Sequence, residues 1–373
     1  MIIGIDATRA TEEQKTGVGW YAFFLIQELK KIIPKEVTVI LYTNKPLQGV
    51  LKELPENWEE KILSWPPKRL WTQIRLSFEM LFHAPDILFI PAHVFPLIHP
   101  KKTIMTVHDI AAKRFPHSYS LFERLYSLWS AKFAGKYLWK VITPSHFTKK
   151  ELQEVFHFGK KESDKIFVVH LGYDEAYNRE KKTSDVDVLK KYGIVKSYFL
   201  SLGRLEEKKN TKESIRAFAL WRKRNKKDFQ YVCVGGIGFG YDEIQKEKKK
   251  NEFSEDILEL GWIPPHDLKI IVRYAKVFLF PSLYEGFGIP ALEAMASGVP
   301  VIATRGQSVE EIGGDALWYA KSTKAEDIAE TLQEMSRFEE KRNEKIQKGL
   351  ERVKQFSWEK MAEETWNILY TEK

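Results

Sequence analysis

The chain alternates short apolar runs with helical segments, and this alternation occurs in both halves. The runs are rich in β-branched and aromatic residues and are apolar throughout, which is typical of strands buried on both faces of a parallel sheet covered by helices. The predicted strands are IIGIDA, VTVILYT, DILFIPA, KTIMTVHD, YLWKVITPS and KIFVVHLG, then YFLSLGR, QYVCVGG, DILELGW, VFLFPS, PVIATR and ALWYA. The sequence therefore predicts an α/β protein with two doubly wound, Rossmann-like sheets that share one cleft.

The length of 373 residues also favours two domains, because one hydrophobic core usually serves roughly 150 residues. A polar, charged stretch, YDEAYNREKKTSDVDVLKKYG, follows Gly172 and is typical of an interdomain linker. We predict an N-terminal domain over 1–172 and a C-terminal domain over 173–357.

Several classes of protein are excluded by composition. No apolar run approaches the roughly 20 residues of a membrane span, and the N-terminus lacks the pattern of a signal peptide, so we expect a cytoplasmic protein. The single cysteine, Cys233, excludes an intrachain disulfide and a cysteine-clustered zinc site. Its position in the run QYVCVGG predicts a buried strand residue.

The net charge of +8 is uneven, because residues 1–172 hold 24 Lys and Arg against 17 Asp and Glu, an excess of +7. Tryptophans lie close to basic residues in the same half: Trp58, Trp65, Trp71, Trp129 and Trp139. This mixture suits an anionic membrane surface, or a solvated basic face over core aromatics. Nucleic acid is a third possible partner, because a basic patch attracts phosphates of any kind, although none is expected here.

The segment PSLYEGFGIPALEAMASGVPVIAT, residues 281–304, carries two glutamates around a predicted helix. Pro290 is placed to open this helix and Gly298 to close it. Glu285 precedes the helix and Glu293 is expected in its first turn. Two carboxylates would repel a phosphate, so we expect them to accept hydrogen bonds from hydroxyls of a sugar or ribose. The alternative is that each carboxylate stabilises the helix N-terminus.

The loop between these glutamates offers backbone donors. The N–H groups of Gly286, Phe287 and Gly288, with Ile289 and the positive end of the helix behind them, predict a binding site for an oxyanion or for sugar hydroxyls.

Two cations follow a strand end in SLGRLEEKKN. Arg204 comes directly after Gly203, and Lys209 lies five positions further on. Arginine can bind phosphate with two hydrogen bonds and lysine adds a point charge, so together they could neutralise a diphosphate leaving group. Alone, two such cations would be solvated surface; the neighbouring glutamate loop favours the phosphate hypothesis.

Two further strand ends carry candidate residues. His108 directly follows the strand KTIMTV, at the edge of the sheet where ligands bind, and we expect it to reach the substrate. Asp109 could orient the imidazole or cap a turn. Gly17, Val18 and Gly19 follow the first strand, where a glycine turn would bring backbone amides close to a phosphate.

Other chemistries lack their motifs. The glycines at 235–240 do not have the spacing G-x-G-x-x-G, and the next strand ends in no acidic residue for a ribose, which excludes a nicotinamide dehydrogenase. Metal-ligand patterns are also lacking: H-x-x-x-H, paired cysteines and D-x-D. We expect neither metal nor cofactor, so Lys and Arg would supply the positive charge.

Glu285-x7-Glu293, preceded by Gly203-Arg204 and Lys209-Asn210, resembles glycosyltransferase family 4, the retaining transferases with the GT-B fold. The similarity runs over nearly the whole chain and includes the strand-end His108, TPSHFTKKEL and GWIPPHDL. The neighbourhood HDIAAKRFP is similar to bacterial mannosyltransferases of surface-polysaccharide assembly.

The resemblance implies a role for each matching residue. Arg204 and Lys209 would bind the donor diphosphate, aided by the amides around Gly17 and Gly19. Glu285 would hold sugar hydroxyls and Glu293 the ribose, while the amides of Phe287 and Gly288 bind further sugar oxygens. His108 would contact the transferred sugar, and the base would lie near Gly261-Trp262. The loop departs from the family where Thr16 and Trp20 replace the usual glycine and arginine.

The resemblance also implies an activity and an architecture. The protein would transfer a hexose from a nucleotide diphosphate sugar, with GDP-mannose as the favoured donor, to a saccharide or lipid-linked acceptor. The anomeric configuration would be retained, and no protein nucleophile would take part. The N-terminal domain would bind the acceptor, and a C-terminal helix over 358–373 would complete it. The alternatives are a nucleotide-sugar epimerase or phosphorylase of the same fold, and a non-enzymatic basic binding protein.

Overall fold

The structure is a computed structural model that describes residues 1–67, 70–92 and 94–371. Lys68 and Arg69 of the basic stretch WPPKRLWTQIR, and the last two residues of the predicted helix 358–373, lie outside the described residues. The chain divides into two compact units. Unit 1 comprises 1–114, 119–172 and 356–373, and unit 2 comprises 115–118 and 173–355.

Unit 1 contains a parallel sheet of seven strands among the described residues, in the order β3-β2-β1-β4-β5-β6-β7. Its strands are β1 (Ile2–Asp6), β2 (Thr38–Thr43), β3 (Trp58–Ile62), β4 (Ile87–Ile90), β5 (Thr103–Thr106), β6 (Lys140–Thr143) and β7 (Ile166–Val168). The central strands β4, β5 and β6 are buried at every position, as their continuous apolar runs predict.

The helices of unit 1 between these strands start at polar caps where the sequence provides them. Ser120 and Glu123 form a capping box at one helix, and Ser145 Oγ accepts a hydrogen bond from Thr148 N–H at the next. The helices are α1 (Gly17–Ile32), α2 (Ser77–Phe82), α3 (Ala111–Arg114), α4 (Leu121–Tyr137), α5 (His146–Phe156) and α6 (Lys160–Ser163). A π-helical turn, Trp71–Leu76, runs directly into α2.

Unit 2 contains a second parallel sheet, with six strands in the order β10-β9-β8-β11-β12-β13 within the described part of the chain. The strands are β8 (Ser197–Leu202), β9 (Phe229–Val234), β10 (Ile257–Glu259), β11 (Val277–Phe280), β12 (Val301–Thr304) and β13 (Trp318–Ala320). Cys233 is a buried residue of β9, as predicted.

Helices cover the second sheet and bury aromatic side chains such as Phe199, Phe218 and Trp221 against it. They are α7 (Asp185–Lys191), α8 (Thr211–Asn225), α9 (Tyr241–Lys250), α10 (Pro265–Tyr274), α11 (Ile289–Ala296), α12 (Ser308–Gly313), α13 (Ala325–Arg337) and α14 (Glu339–Val353). The final helix, α15 (Trp358–Tyr370), belongs to unit 1, where Trp358 stacks on Phe24 of α1 with 4.9 Å between ring centroids.

The structure corrects the sequence prediction at β3. This strand, with the sequence WEEKI, was not among the predicted strands because three of its five residues are charged. It pairs with β2 alone and forms the edge of the sheet, where charged side chains are expected because they discourage pairing with other chains.

A second correction concerns Gly17, Val18 and Gly19. We predicted a glycine turn, whereas these residues form the first turn of α1, with Thr16 as the N-cap. Their N–H groups are therefore donors of a helix N-terminus rather than of a loop.

For two tryptophans of unit 1 the structure favours the alternative of core aromatics. Trp58 and Trp71 are only 5% and 7% exposed, and Trp71 Nε1 donates a hydrogen bond to Leu63 O over 2.7 Å. Both are core residues and could not insert into a membrane. No helix in the described residues is long and apolar enough to cross a bilayer.

Candidate active site

The candidate site in unit 2 lies where the strand order of its sheet reverses. From β8 the chain continues to β9 and β10 on one side, and it then returns to β11 on the other side of β8. Ligands of such sheets bind beyond the carboxyl ends of the two strands at this switch point. Arg204 and Lys209 follow β8, and Glu285 follows β11, so the topology brings these predicted residues to one place.

Lys209 and Glu285 form an ion pair, with 2.5 Å between Nζ and Oε1. Ser282 Oγ donates a second hydrogen bond to the same carboxylate oxygen over 2.7 Å. The two charged side chains are only 22% and 12% exposed, so their attraction is weakly screened by water. The sequence predicted the two residues for different parts of the donor, and the structure places them in direct contact.

Arg204 lies beside this pair and is exposed. It lines the same pocket as Lys209, together with Gly203, Phe280 and Ser282. Its guanidinium makes no hydrogen bond or ion pair with any described residue, in contrast to the paired ammonium of Lys209. A free guanidinium at a strand end is available for a phosphate group with its two parallel donors.

Two glycines near Lys209 and Phe280 have backbone conformations with positive φ. Gly203 has φ +140°, and a Cβ there would lie 3.3 Å from Cε of Lys209. Gly288 has φ +115° at the N-cap of α11, and a Cβ there would lie 3.4 Å from Phe280 Cε1. Both positions need a backbone conformation that side-chain-bearing residues rarely adopt.

Two residues that sequence reasoning missed hold the glutamate loop in place. Ser308 Oγ is fully buried and lies 2.7 Å from Glu285 O and 2.8 Å from Phe287 O, two acceptors that share its single hydrogen. Gln307 Nε2 donates to Ser282 O over 2.6 Å. The one sequence signal for these two residues was their position after β12, at the same edge of the second sheet as the glutamate loop. The binding roles of the Gly286, Phe287 and Gly288 amides and of Ile289 stay predictions.

Glu293 is the fifth residue of α11 and lies in its second turn, which corrects the predicted first-turn position. Burial raises its pKa to about 8, with a further contribution from the Asp174 carboxylate, while Lys269 acts in the opposite direction. Asp174 and Lys269 pair with each other over 2.6 Å. Burial therefore favours the neutral acid, which can donate as well as accept a hydrogen bond, whereas the sequence suggested a carboxylate.

In unit 1, His108 follows β5 and is 8% exposed. Its Nε2 lies 3.1 Å from Pro91 O, which can only accept, so Nε2 carries a proton. Its ring and that of Tyr21 pack in a T-shaped arrangement, with 4.7 Å between centroids, and Tyr21 in turn shares a hydrogen bond with Thr106. Asp109 Oδ1 accepts from Ala111 N–H, which is the turn-capping role. Contact of His108 with the substrate stays a prediction.

Trp262 lies at the same edge of the second sheet, after β10, and is 53% exposed. The preceding Gly261 is tied to the end of β9, because its carbonyl accepts a hydrogen bond from Gly235 N–H over 2.8 Å. An exposed ring on a fixed backbone is suited to stacking on a base, which remains the predicted role.

Two family models together match most of the chain. The model described as Glycosyltransferase Family 4 matches residues 15–177, and the one described as Glycosyl transferases group 1 matches residues 189–352. The chain therefore consists of a glycosyltransferase family 4 domain followed by a glycosyl transferases group 1 domain. The protein is thus a glycosyltransferase, which confirms the family prediction made from the two glutamates and the two cations.

Similar proteins include mannosyltransferases. O-antigen chain mannosyltransferase B of Escherichia coli is 27% identical over 86% of this chain and 82% of its own length. O-antigen chain mannosyltransferase RfbU of Salmonella typhimurium is 25% identical over 65% of this chain and 62% of its own.

The fold is also similar to that of a solved structure. Anabaena HepE, determined in complex with UDP and glucose, superimposes with a TM-score of 0.75 over 99% of both chains at 14% identity. This likeness, with the two parallel sheets, confirms the predicted GT-B fold class.

Proposed function

We propose that the protein transfers a hexose onto a saccharide or lipid-linked acceptor during assembly of a surface polysaccharide. The proposed hexose is mannose, and the proposed donor is GDP-mannose. The observation that carries this proposal is the arrangement at the switch point of the second sheet, where Arg204 lies beside the Lys209–Glu285 pair. Cations for a diphosphate and a carboxylate for sugar hydroxyls are the two kinds of group that a nucleotide-sugar donor requires.

Donor binding would rearrange the ion pair. Before binding, Glu285 neutralises Lys209, so neither charge is buried alone. A diphosphate that enters the pocket offers Lys209 and Arg204 a second anion. The carboxylate of Glu285, still held by Ser282, can then accept hydrogen bonds from hydroxyls of the sugar.

During transfer, the bond between the anomeric carbon and the diphosphate oxygen breaks while the acceptor oxygen attacks the same face. The leaving diphosphate becomes more negative, and Lys209 and Arg204 stabilise it. The acceptor proton passes to this leaving oxygen, so no protein nucleophile, metal or cofactor takes part. The configuration of the anomeric carbon is retained.

The choice of mannose rests on the curated relatives, which are named as O-antigen mannosyltransferases. The solved HepE complex contains UDP and glucose instead. GDP-mannose is therefore the first donor to test and UDP-glucose the second. We assign the acceptor to unit 1, because the excess of basic residues there suits a phosphate-bearing, lipid-linked acceptor.

The test is a transfer assay in EDTA, with GDP-mannose or UDP-glucose and a lipid-linked saccharide as acceptor. Product formation with an unchanged anomeric configuration, read by NMR, is expected. Lys209→Ala should lower kcat/KM by at least about a hundredfold, whereas Lys212→Ala, which alters a partly exposed lysine of α8, should not. An inverted product, or conversion of the donor without any acceptor, would contradict the proposal.

A further inference from the structure

An apolar stripe of unit 1 faces solvent on the helix formed by residues 71–82. Ile74, Phe78, Leu81 and Phe82 are 44%, 59%, 56% and 62% exposed. Their spacing of i, i+4, i+7 and i+8 places them on one side of the helix. The other side buries Leu76, Glu79 and Met80. This is the reverse of an ordinary surface helix, whose solvent side is polar.

The N-terminal half of α4 exposes a second set of apolar side chains. Leu121, Phe122, Leu125 and Trp129 are between 44% and 69% exposed. The buried residues of this helix begin only at Ser130. Nothing in the core of unit 1 therefore requires large apolar residues at the start of α4.

A loop joins the two sets into one surface. Leu97 and Ile98 are themselves 58% and 44% exposed. Ile98 N–H donates a hydrogen bond to Ser77 Oγ of α2 over 3.2 Å. Phe95, three positions earlier, stacks on Trp129 of α4 with 5.4 Å between centroids. We call this surface the apolar face; its members are Ile74, Phe78, Leu81, Phe82, Leu97, Ile98, Leu121, Phe122, Leu125 and Trp129.

Single exposed leucines are common, but ten large apolar side chains on adjoining elements are not, and such surfaces mark an interaction site. The charges beside the face indicate the partner. Lys101, Lys132 and Lys136 are exposed, and none of them forms an ion pair with a described residue. Apolar and aromatic side chains flanked by unpaired lysines match an anionic lipid surface, where the rings enter the interface and the ammonium groups meet phosphates.

We propose that the apolar face docks unit 1 on an anionic lipid bilayer. The proposal replaces the buried Trp58 and Trp71 of the sequence-based hypothesis with other residues, and of the five tryptophans only Trp129 belongs to the face. It goes beyond the proposed transfer reaction and does not depend on the donor.

The full-length protein is sedimented with vesicles of phosphatidylcholine alone and with vesicles containing about one third phosphatidylglycerol. The wild type should bind the anionic vesicles. Phe78→Ser/Phe82→Ser and Leu121→Ser/Leu125→Ser should each weaken binding by roughly tenfold or more. Val186→Ser/Val195→Ser removes two exposed apolar residues of unit 2 and should bind as the wild type. Lys132→Glu/Lys136→Glu should weaken binding to the anionic vesicles.

The proposal is overturned if the wild type does not bind anionic vesicles, or if both apolar variants bind as well as it does. It is also overturned if the wild type does not bind vesicles and is a dimer by analytical ultracentrifugation, while the Phe78→Ser/Phe82→Ser variant is a monomer. Since these residues are exposed, the variants should melt as the wild type does. Their transfer to a water-soluble acceptor should be unchanged, which separates failure of docking from failure of the proposed reaction.

Discussion

At the scale of single residues, the pair of Lys209 and Glu285 links the charge of the site to its stability. Each side chain is less than a quarter exposed, and each neutralises the other. Removing one partner leaves the other charge mostly buried and without its counter-charge, which costs more stability than removing both. We therefore expect Lys209→Ala and Glu285→Ala each to lower both activity and melting temperature.

The double variant tests whether the two act as one unit. Lys209→Ala/Glu285→Ala should have a melting temperature above that of at least one single variant, and a kcat/KM close to that of the worse one. A double-mutant cycle measures both quantities. Effects that simply add would contradict the paired arrangement.

Glu293 makes the stability of unit 2 depend on pH. Its pKa is raised from 4.5 to about 8, mainly by burial. Between these values the native state holds a proton that the unfolded chain has released, so this group makes the free energy of unfolding fall as pH rises through that window. Glu293→Gln cannot ionise. The free energy of unfolding of this variant, relative to that of the wild type, should therefore be higher at pH 9 than at pH 5.

Urea unfolding at the two pH values measures this difference. Glu363→Gln, which alters an exposed carboxylate of α15, serves as the control and should follow the wild type at both. An equal effect of Glu293→Gln at pH 5 and pH 9 would show that Glu293 is not held protonated.

Ser308 acts on the substrate only through the loop that it holds. Ser308→Ala removes the hydroxyl that bridges Glu285 O and Phe287 O, leaving two buried acceptors with one donor fewer. We expect kcat/KM to fall by about tenfold, with a loss of stability on the order of 1 kcal/mol. Ser336→Ala, whose hydroxyl bonds a carbonyl of its own helix, should change neither. Unaltered kinetics of Ser308→Ala would remove its positioning role.

The sequence could place Arg204, Lys209 and Glu285 near one another, because each lies in the segment after a recognisable strand and strand ends meet at one edge; their binding roles stay predictions. It could not predict Ser308, because its role depends on a contact with residues more than twenty positions away. The raised pKa of Glu293 was also hidden, since it follows from burial and from Asp174, which is distant in sequence.

At the scale of elements, buried strands were predictable and the exposed edge was not. The continuous apolar runs identify the central strands because both faces of those strands are covered. β3 does not meet this criterion, because it is an edge strand with charged residues. One of them, Glu60, accepts a hydrogen bond from Leu47 N–H over 2.7 Å. The glycines of α1 were misread because glycine at a helix start resembles a turn.

The first turn of α1 allows function to be separated from packing. A Cβ at Gly17 meets no atom within 4 Å, whereas one at Gly19 would lie 3.1 Å from Arg9 O. Gly17→Ala should therefore leave the melting temperature unchanged or slightly higher, because alanine favours a helix. If its amide approaches the donor phosphate, Gly17→Ala should still raise the KM for the donor.

Gly19→Ala should lower the melting temperature, because the backbone at Arg9 must shift. Thermal melts and donor titrations of both variants provide the measurement. A Gly17→Ala protein with unchanged donor KM would remove α1 from the donor site.

At the scale of the whole molecule, the two units differ in what they offer a ligand. Unit 2 carries the cations and the glutamates at its switch point, while unit 1 carries the apolar face and most of the net charge. Two sheets and the family were predictable from sequence, because they depend on local patterns and motifs. The apolar face was not, because α2, α4 and the loop at 94–98 form it from segments that carry no shared motif.

The central claim, a metal-free site for a nucleotide diphosphate sugar built on Arg204, Lys209 and Glu285, is tested most directly by thermal shift in EDTA. GDP, UDP, ADP and their common sugar conjugates are each added to the wild type, to Lys209→Ala and to Lys212→Ala, because a ligand that binds only the native state raises its melting temperature. We predict that GDP and GDP-mannose stabilise the wild type and Lys212→Ala but not Lys209→Ala. Equal stabilisation of Lys209→Ala, or no stabilisation of the wild type by any nucleotide, would contradict the account.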